Sequence, residues 1–237
     1  MEPVKYHILS TKEMAAELVR QAMAHGLEID SQPLISILEK DPAEISEMIR
    51  KVDAGWAVFT SAHAVRAVHR AWNKDLPFPW KICCLEGSTL NEVNSLFGGA
   101  QVCARGTYSR ELAEAILRLS PGEPMVFFCG NRRRPELPEL LRQSGIRLEE
   151  IIVYETRVNQ VALGKTYDAI LFFSPSGVDS FFSANQVRPE TVCFAIGRTT
   201  AEALRSLVPN QVITGAFPSP KRLVEALIHH YDPSLTP

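Results

Sequence analysis

The chain has no G-x-x-x-x-G-K segment and no G-x-G-x-x-G segment. This excludes the phosphate-cradling loop and the dinucleotide fingerprint that such glycine patterns build. It has no H-E-x-x-H pair and no G-x-S-x-G elbow, so neither a zinc-protease helix nor a hydrolase nucleophile turn is encoded. Cysteine is sparse: Cys83, Cys84, Cys103, Cys129 and Cys193, an odd number with no C-x-x-C pair and no metal-ligand spacing. Most of them sit in apolar runs, and they are read as buried, reduced thiols. The six histidines are scattered. His63 falls on a strand-to-helix turn, where it could touch a ligand, and is expected at the surface; His229 and His230 are expected to be solvated. No metal and no cofactor is implied.

Charge of one sign is also lacking. Lys and Arg total 25 against 27 Asp and Glu, a formal net charge of -2. A general nucleic-acid binder carries a strongly basic balance, so nucleic acid is not an expected partner. An acidic substrate would have to meet local basic groups. No stretch approaches the roughly 20 apolar residues of a membrane helix, so no membrane is expected. The first ten residues carry Glu2, Lys5 and His7 and no apolar signal core, and the expected location is the cytoplasm. No apolar helix face stands out as surplus, which leaves a monomer as the expectation.

What the 237 residues do hold is 46% hydrophobic and 22% charged side chains, enough core for two small domains or one large one. Short apolar runs alternate with amphipathic stretches. Strands are predicted over 4–9, 56–60, 81–85, 101–103, 124–128, 168–173, 191–196 and 211–213. Helices are predicted over 12–25, 61–72, 109–119 and 135–144, after Gly87, and after each of the last three strands. Buried, non-alternating strands between helices predict parallel sheets.

An internal repeat organises this pattern. Val58-Phe59-Thr60-Ser61-Ala62-His63-Ala64-Val65 matches Leu171-Phe172-Phe173-Ser174-Pro175-Ser176-Gly177-Val178. The run from Ile82 to Thr89 matches that from Val192 to Thr199, and Gln101-Val102 matches Gln211-Val212. A fourth module occurs twice out of phase: Glu17-Leu18-Val19-Arg20-Gln21 opens the chain, and Glu139-Leu140-Leu141-Arg142-Gln143 follows the first set of three. The economical reading is two similar α/β domains. One is discontinuous, 1–34 with 158–237; the other, 38–150, is inserted into it. The crossings at 31–38 and 148–158 are extended and β-prone, and are predicted to pair as a two-stranded hinge. A single long doubly wound sheet is the rival arrangement.

In open parallel sheets, ligands bind beyond the carboxyl ends of the strands. The turns there are Ser10-Thr11-Lys12, Thr60-Ser61, Gly87-Ser88-Thr89, Gly130-Asn131-Arg132, Ser174-Pro175-Ser176-Gly177 and Gly197-Arg198-Thr199-Thr200. Helix capping accounts for serine and threonine at such places. Anion binding by the free amides of a helix N-terminus uses the same geometry. Two such rims, one per domain, would suit a large polyanion.

Three segments resemble the uroporphyrinogen-III synthase family: Phe172-Phe173-Ser174-Pro175-Ser176-Gly177-Val178, Ala195-Ile196-Gly197-Arg198-Thr199-Thr200-Ala201 and Val153-Tyr154-Glu155-Thr156. Val58-Phe59-Thr60-Ser61 with Ala64-Val65 is similar to the family's first motif of this type. The order and spacing of the set, across nearly the whole chain, make the likeness specific. The resemblance implies two flavodoxin-like domains joined by a two-stranded β-ladder, the arrangement that the repeat suggests independently.

It also implies a reaction. Hydroxymethylbilane, a linear tetrapyrrole bearing many carboxylates, loses its hydroxyl group. Ring D attacks the resulting azafulvene through a spiro intermediate, is inverted, and the macrocycle closes as uroporphyrinogen III. Unaided closure gives the symmetric type I isomer, so the catalyst's task is regiochemical and rests on positioning. No cofactor is implied. Tyr154 matches the family's tyrosine and would donate a proton or hydrogen bond to the departing hydroxyl. Thr199 and Thr200 with Gly197, and Ser174 and Ser176, would hold substrate carboxylates. Thr60 and Ser61 would do so from the inserted domain, with Ser88 and Thr89. Leu90 stands where many members carry threonine, which puts the last pair in question. Arg105, Arg132, Arg133, Arg134 and Arg198 are candidate partners for the carboxylates, Arg132 and Arg198 foremost. A transient contact with the preceding enzyme of the pathway is a further expectation. The reading of another class is a non-catalytic, two-domain anion-binding clamp.

Overall fold

A computed structural model describes residues 4–72, 78–98, 102–215 and 218–232. The first half of the chain runs β1 (Tyr6–Ser10), α1 (Ala16–Met23), β2 (Leu27–Ser31), β3 (Ile35–Glu39), α2 (Pro42–Arg50), β4 (Trp56–Phe59), α3 (Ala62–Ala71), β5 (Lys81–Leu85), α4 (Ser88–Phe97) and β6 (Val102–Gly106). The second half runs α5 (Ser109–Leu119), β7 (Met125–Gly130), α6 (Glu136–Gln143), β8 (Leu148–Val158), β9 (Ala169–Phe172), α7 (Pro175–Phe182), β10 (Val192–Ala195), α8 (Arg198–Arg205), β11 (Val212–Thr214) and α9 (Pro220–Tyr231).

The chain divides into two compact units, Met1–Ser36 with Arg157–Pro237, and Ile37–Thr156. In the first unit the strand order is β11-β10-β9-β1-β2, every pairing parallel. Counted by order of appearance this is 2-1-3-4-5, the flavodoxin-like order. β9 (Ala-Ile-Leu-Phe) and β10 (Val-Cys-Phe-Ala) are buried at all four positions, because helices cover both faces of the sheet. Ile8, Ala169, Leu171, Val192 and Phe194 pack with Leu223, Val224 and Leu227 of α9 and Ala22 of α1. Leu9, Ile170, Phe172, Cys193 and Ala195 face the other way, onto Val178 and Phe181 of α7 and Ala201 and Leu204 of α8.

The second unit belongs to a six-stranded sheet of order β3-β8-β7-β4-β5-β6. The pairs β8–β7, β7–β4, β4–β5 and β5–β6 are parallel. Starting the count at β7, these five strands again read 2-1-3-4-5. Period-two alternation sorts the side chains as in the first unit. Ala57, Phe59, Val126 and Phe128 pack on α2, α3 and α4. Trp56, Val58, Met125, Phe127 and Cys129 pack on α5 and α6.

β3 is the exception in direction. Lys40 N–H donates to Val153 O at 3.0 Å, and Asn159 N–H donates to Leu34 O at 2.8 Å. Residue numbers rise along one strand as they fall along the other, so β3 and β8 run antiparallel. The strand paired with β8 begins at Ile35; Ser31 closes β2 instead. Two elements lie where the sequence reading placed none, β2 and α2. β2 (Leu-Glu-Ile-Asp-Ser) alternates apolar and polar as an edge strand does, and α2 is capped by Asp41, whose carboxylate accepts from Ala43 N–H at 2.7 Å ahead of Pro42 at the first helical position.

Candidate functional site

In the second unit the turns after β4 and β7 meet β8 around one side chain, Tyr154. Ser61 caps α3: its Oγ accepts from His63 N–H at 3.2 Å. The same hydroxyl is hydrogen-bonded to the Tyr154 phenol. From the β7 side, Asn131 N–H donates to Tyr154 O at 3.2 Å, and Asn131 Oδ1 accepts from Thr156 N–H at 2.8 Å. The register of β7 on β8 slips between Cys129 and Gly130, so that Gly130 comes opposite Tyr154. There the tyrosine ring lies against the Gly130 backbone. A Cβ on residue 130 would sit 2.5 Å from Cε2 and Cζ and 2.8 Å from Oη, so only glycine leaves room for the ring.

Burial pushes the Tyr154 phenol above its ordinary value. The Ser61 hydrogen bond works against that rise, and the neighbouring Cys129 adds to it. The group is therefore protonated throughout the neutral range, a donor rather than a base. His63 is half-buried rather than exposed, its ring centroid 5.6 Å from that of Tyr154 at an interplanar angle of 47°.

The other expected residues of this unit divide by burial. Thr60 is half-buried at the end of β4, beside Ser61, and Arg132 is exposed. Ser88 is exposed on the first turn of α4, but Thr89 is only 4% exposed and Leu90 packs against the core. That turn presents Ser88 to solvent and keeps the threonine inside. Among the candidate arginines, Arg133 is taken by an ion pair with Glu150, which Arg142 also contacts at 2.6 Å.

In the first unit, Ser174 caps α7 and accepts from Gly177 N–H at 3.0 Å. Thr11 Oγ1 donates to Leu171 O at 2.9 Å. A Cβ on Gly177 would lie 3.4 Å from Ser174 Oγ and 3.6 Å from Thr11 Oγ1, so both hydroxyls flank the first turn of α7. Ser176 is half-buried on the same turn. Gly197 opens α8, and Thr200 N–H donates to Gly197 O at 3.1 Å. Thr200 is 2% exposed, so its hydroxyl faces the interior, while Thr199 is half-buried and Arg198 exposed, 3.8 Å from Glu202. Lys12 Nζ sits 6.0 Å from the Phe173 ring centroid. Lys12 and Gly130 lie on turns expected at the strand ends; the part of Gly130 as the seat of the tyrosine ring and the setting of His63 are features that residue types alone do not mark out.

Each unit thus carries hydroxyls and helix N-terminal amides at the carboxyl ends of its strands, chemistry suited to holding anions without a metal. Among the described residues no group of three or more His, Cys, Asp or Glu is placed to bind a metal ion, and no helix is long and apolar enough to cross a membrane.

A family model described as HEM4, uroporphyrinogen-III synthase HemD, matches residues 16–225. Among solved structures the chain is similar to uroporphyrinogen-III synthetase from Helicobacter pylori 26695, with a TM-score of 0.67 and 15% identity over 95% of this chain and 100% of that one. It is similar to a mutant uroporphyrinogen III synthase from Thermus thermophilus, with a TM-score of 0.67 and 16% identity over 94% of this chain and 96% of that one. The wild-type Thermus enzyme in another crystal form gives 0.57 at 14% identity, over 98% and 100%. At such identities the structures speak for the fold, and the family rests on the model match.

Proposed function

The chain belongs to the uroporphyrinogen-III synthase family, and on that premise we propose that it converts hydroxymethylbilane to uroporphyrinogen III with inversion of ring D and loss of water. The observation that carries the reading is the span of the family match, 16–225, which takes in both copies of the repeated modules and the strand bearing Tyr154.

In this reading the substrate carboxylates are held by the helix N-termini and hydroxyls at Thr60, Ser61 and Ser88, and at Ser174, Ser176, Gly197 and Thr199. Arg132 and Arg198, both exposed, supply charge. Thr89 and Thr200 support those turns from inside. Tyr154 donates its proton to the hydroxyl that leaves as water, while the adjoining pyrrole gives up its N–H proton and becomes the azafulvene. The raised phenol keeps that proton available across the neutral range. Ring D then attacks, the spiro intermediate opens, and the ring closes in the unsymmetrical sense. Work in the cytoplasm and delivery of the unstable substrate from the preceding enzyme belong to the same proposal.

The test is an isomer assay. Freshly generated hydroxymethylbilane is supplied, the products are oxidised, and type I and type III uroporphyrin are separated. Type III above a no-enzyme control supports the synthase. Type I alone, from folded protein, makes the chain an anion-binding clamp. Tyr154→Phe is expected to lower the type III rate about tenfold without abolishing it, because an electron-rich pyrrole expels hydroxide readily.

A further inference from the structure

His63 is held at both ends. Its backbone N–H donates to the Ser61 cap at 3.2 Å, and its Nδ1 lies 2.9 Å from Arg66 Nη2. A guanidinium donates hydrogen bonds and accepts none, so Nδ1 is the acceptor and the ring proton sits on Nε2. Arg66 is fixed in turn from the next helix, where its Nη1 donates to Glu92 Oε2 at 3.1 Å. The imidazole so anchored is a tilted-ring neighbour of Tyr154, within the roughly 4.5–7 Å span of favourable aromatic pairs. Ser61, which is hydrogen-bonded to the phenol, lies on the same turn. One turn of α3 therefore supplies both the hydroxyl and the ring that meet Tyr154, and the Gly130 backbone supplies the seat.

We infer that His63 is a positioning residue for Tyr154, locked as the Nε2–H tautomer by Arg66 and Glu92, and that it sets the line along which the phenol meets its partner. This rests on the reading of Tyr154 as the donor to the leaving hydroxyl. A misaimed phenol costs at most what a missing one costs, about tenfold in rate. Substrate binding, spread over many amides and hydroxyls, changes little, so the loss falls on kcat rather than KM.

The experiment measures kcat and KM for type III formation in wild type, Tyr154→Phe, His63→Ala and His63→Phe, and in each His63 variant combined with Tyr154→Phe. His63→Ala is expected to lower kcat about tenfold with KM held within about twofold. His63→Phe, which keeps a ring, recovers most of that loss. In the Tyr154→Phe background His63→Ala costs less than about twofold, since no phenol is left to aim. Nitrogen NMR of the full chain is expected to show the Nε2–H tautomer at His63 and a tautomer mixture in Arg66→Met. Equal losses in both backgrounds, a loss confined to KM, or a mixture already present in wild type overturns the inference. If His63→Ala does not fold, Arg66→Met carries the same comparison, with a lowered kcat expected in the wild-type background and not in the Tyr154→Phe background. Should Tyr154→Phe cost nothing, the donor reading falls and takes this inference with it; should it cost about tenfold while His63→Ala costs nothing, the inference falls alone.

Discussion

In the first unit the flavodoxin-like order is spelled β1-α1-β2, then β9-α7, β10-α8 and β11-α9; in the second, β4-α3, β5-α4 and β6-α5 come before β7-α6-β8. The same sheet is thus cut at two different places in the chain. Ser61 and Ser174 stand at matching repeat positions and both cap the helix that follows, so capping explains the serine in each copy. What the copies do not share stands out against that common frame. Among the described residues, only the second copy has a tyrosine seated on a glycine beside its capping serine, and the His63–Arg66–Glu92 series behind it. The second also buries Cys83, Cys84 and Cys129, where the first buries Cys193 alone, leaving Cys103 as the exposed thiol. The rim is a property of the fold, and the tyrosine seat a property of one copy.

The largest effect expected from this asymmetry is alkaline. Burial pushes the thiol of Cys83 up to about 12 and those of Cys84 and Cys129 up to about 11, against about 11 for Cys193. A raised pKa in the folded state means stability that is whole below the ordinary thiol value and lost as pH climbs through the folded value. Each buried thiol takes away on the order of 3 kcal/mol once pH has passed its folded value, and about 2 kcal/mol by about pH 10.5. Trp56, Trp72 and Trp80 are the only tryptophans, and all lie in the second unit. Between about pH 8 and about pH 10.5, the urea midpoint read by tryptophan emission should fall more than the midpoint read by far-ultraviolet circular dichroism. Equal falls would mean that the two units respond to alkali alike.

A smaller difference concerns the glycines that open α4 and α8. Gly87 has φ 75°, a conformation that L side chains rarely adopt, while Gly197 has φ -168°, ordinary extended backbone. Among the described residues, a Cβ at Gly197 would meet Pro218 Cβ, at 3.6 Å. Gly87→Ala is expected to cost about 1–2 kcal/mol in chemical unfolding, and Gly197→Ala no more than about 0.5 kcal/mol. Similar costs at both would mean that the two turns are equivalent after all.

The two capping serines differ least in stability. Ser61→Ala and Ser174→Ala should each cost about 1 kcal/mol as lost caps. Only Ser61→Ala should also drive the Tyr154 phenol further up, since it removes the hydrogen bond that opposes burial. Phenol absorbance titrations of the two variants, each set against Tyr154→Phe, give the readout. Identical titrations would detach Ser61 from the tyrosine.

Much of the architecture was legible because parallel strands covered on both faces leave a distinctive trace. Trp56–Phe59, Ala169–Phe172 and Val192–Ala195 are buried at every position, so they read as uninterrupted apolar runs between amphipathic helices. Repeating that trace twice exposed the modules. The candidate site was less legible. Tyr154 was marked by the family motif, yet its seat depends on a slip of register between β7 and β8 that no local pattern encodes. The half-buried setting of His63 was illegible for the same reason, because the ring beside it belongs to Tyr154, about ninety residues away in sequence. Thr89 and Thr200 turn inward because of the rotational phase of their helices' first turns, which composition does not specify.

The order of the modules also dictates an order of events on the ribosome. β1 pairs on one side with β2, which follows at once, and on the other with β9, which emerges only after all the residues of the second unit. Ile8 and Leu9, both fully buried at the end, therefore wait through that whole interval with one flank of their strand open. The second unit can close first, as nascent domains do, while the opening segment remains an unfinished edge. Nascent chains stalled before Ala169 would then be the stage at which this molecule most needs a chaperone.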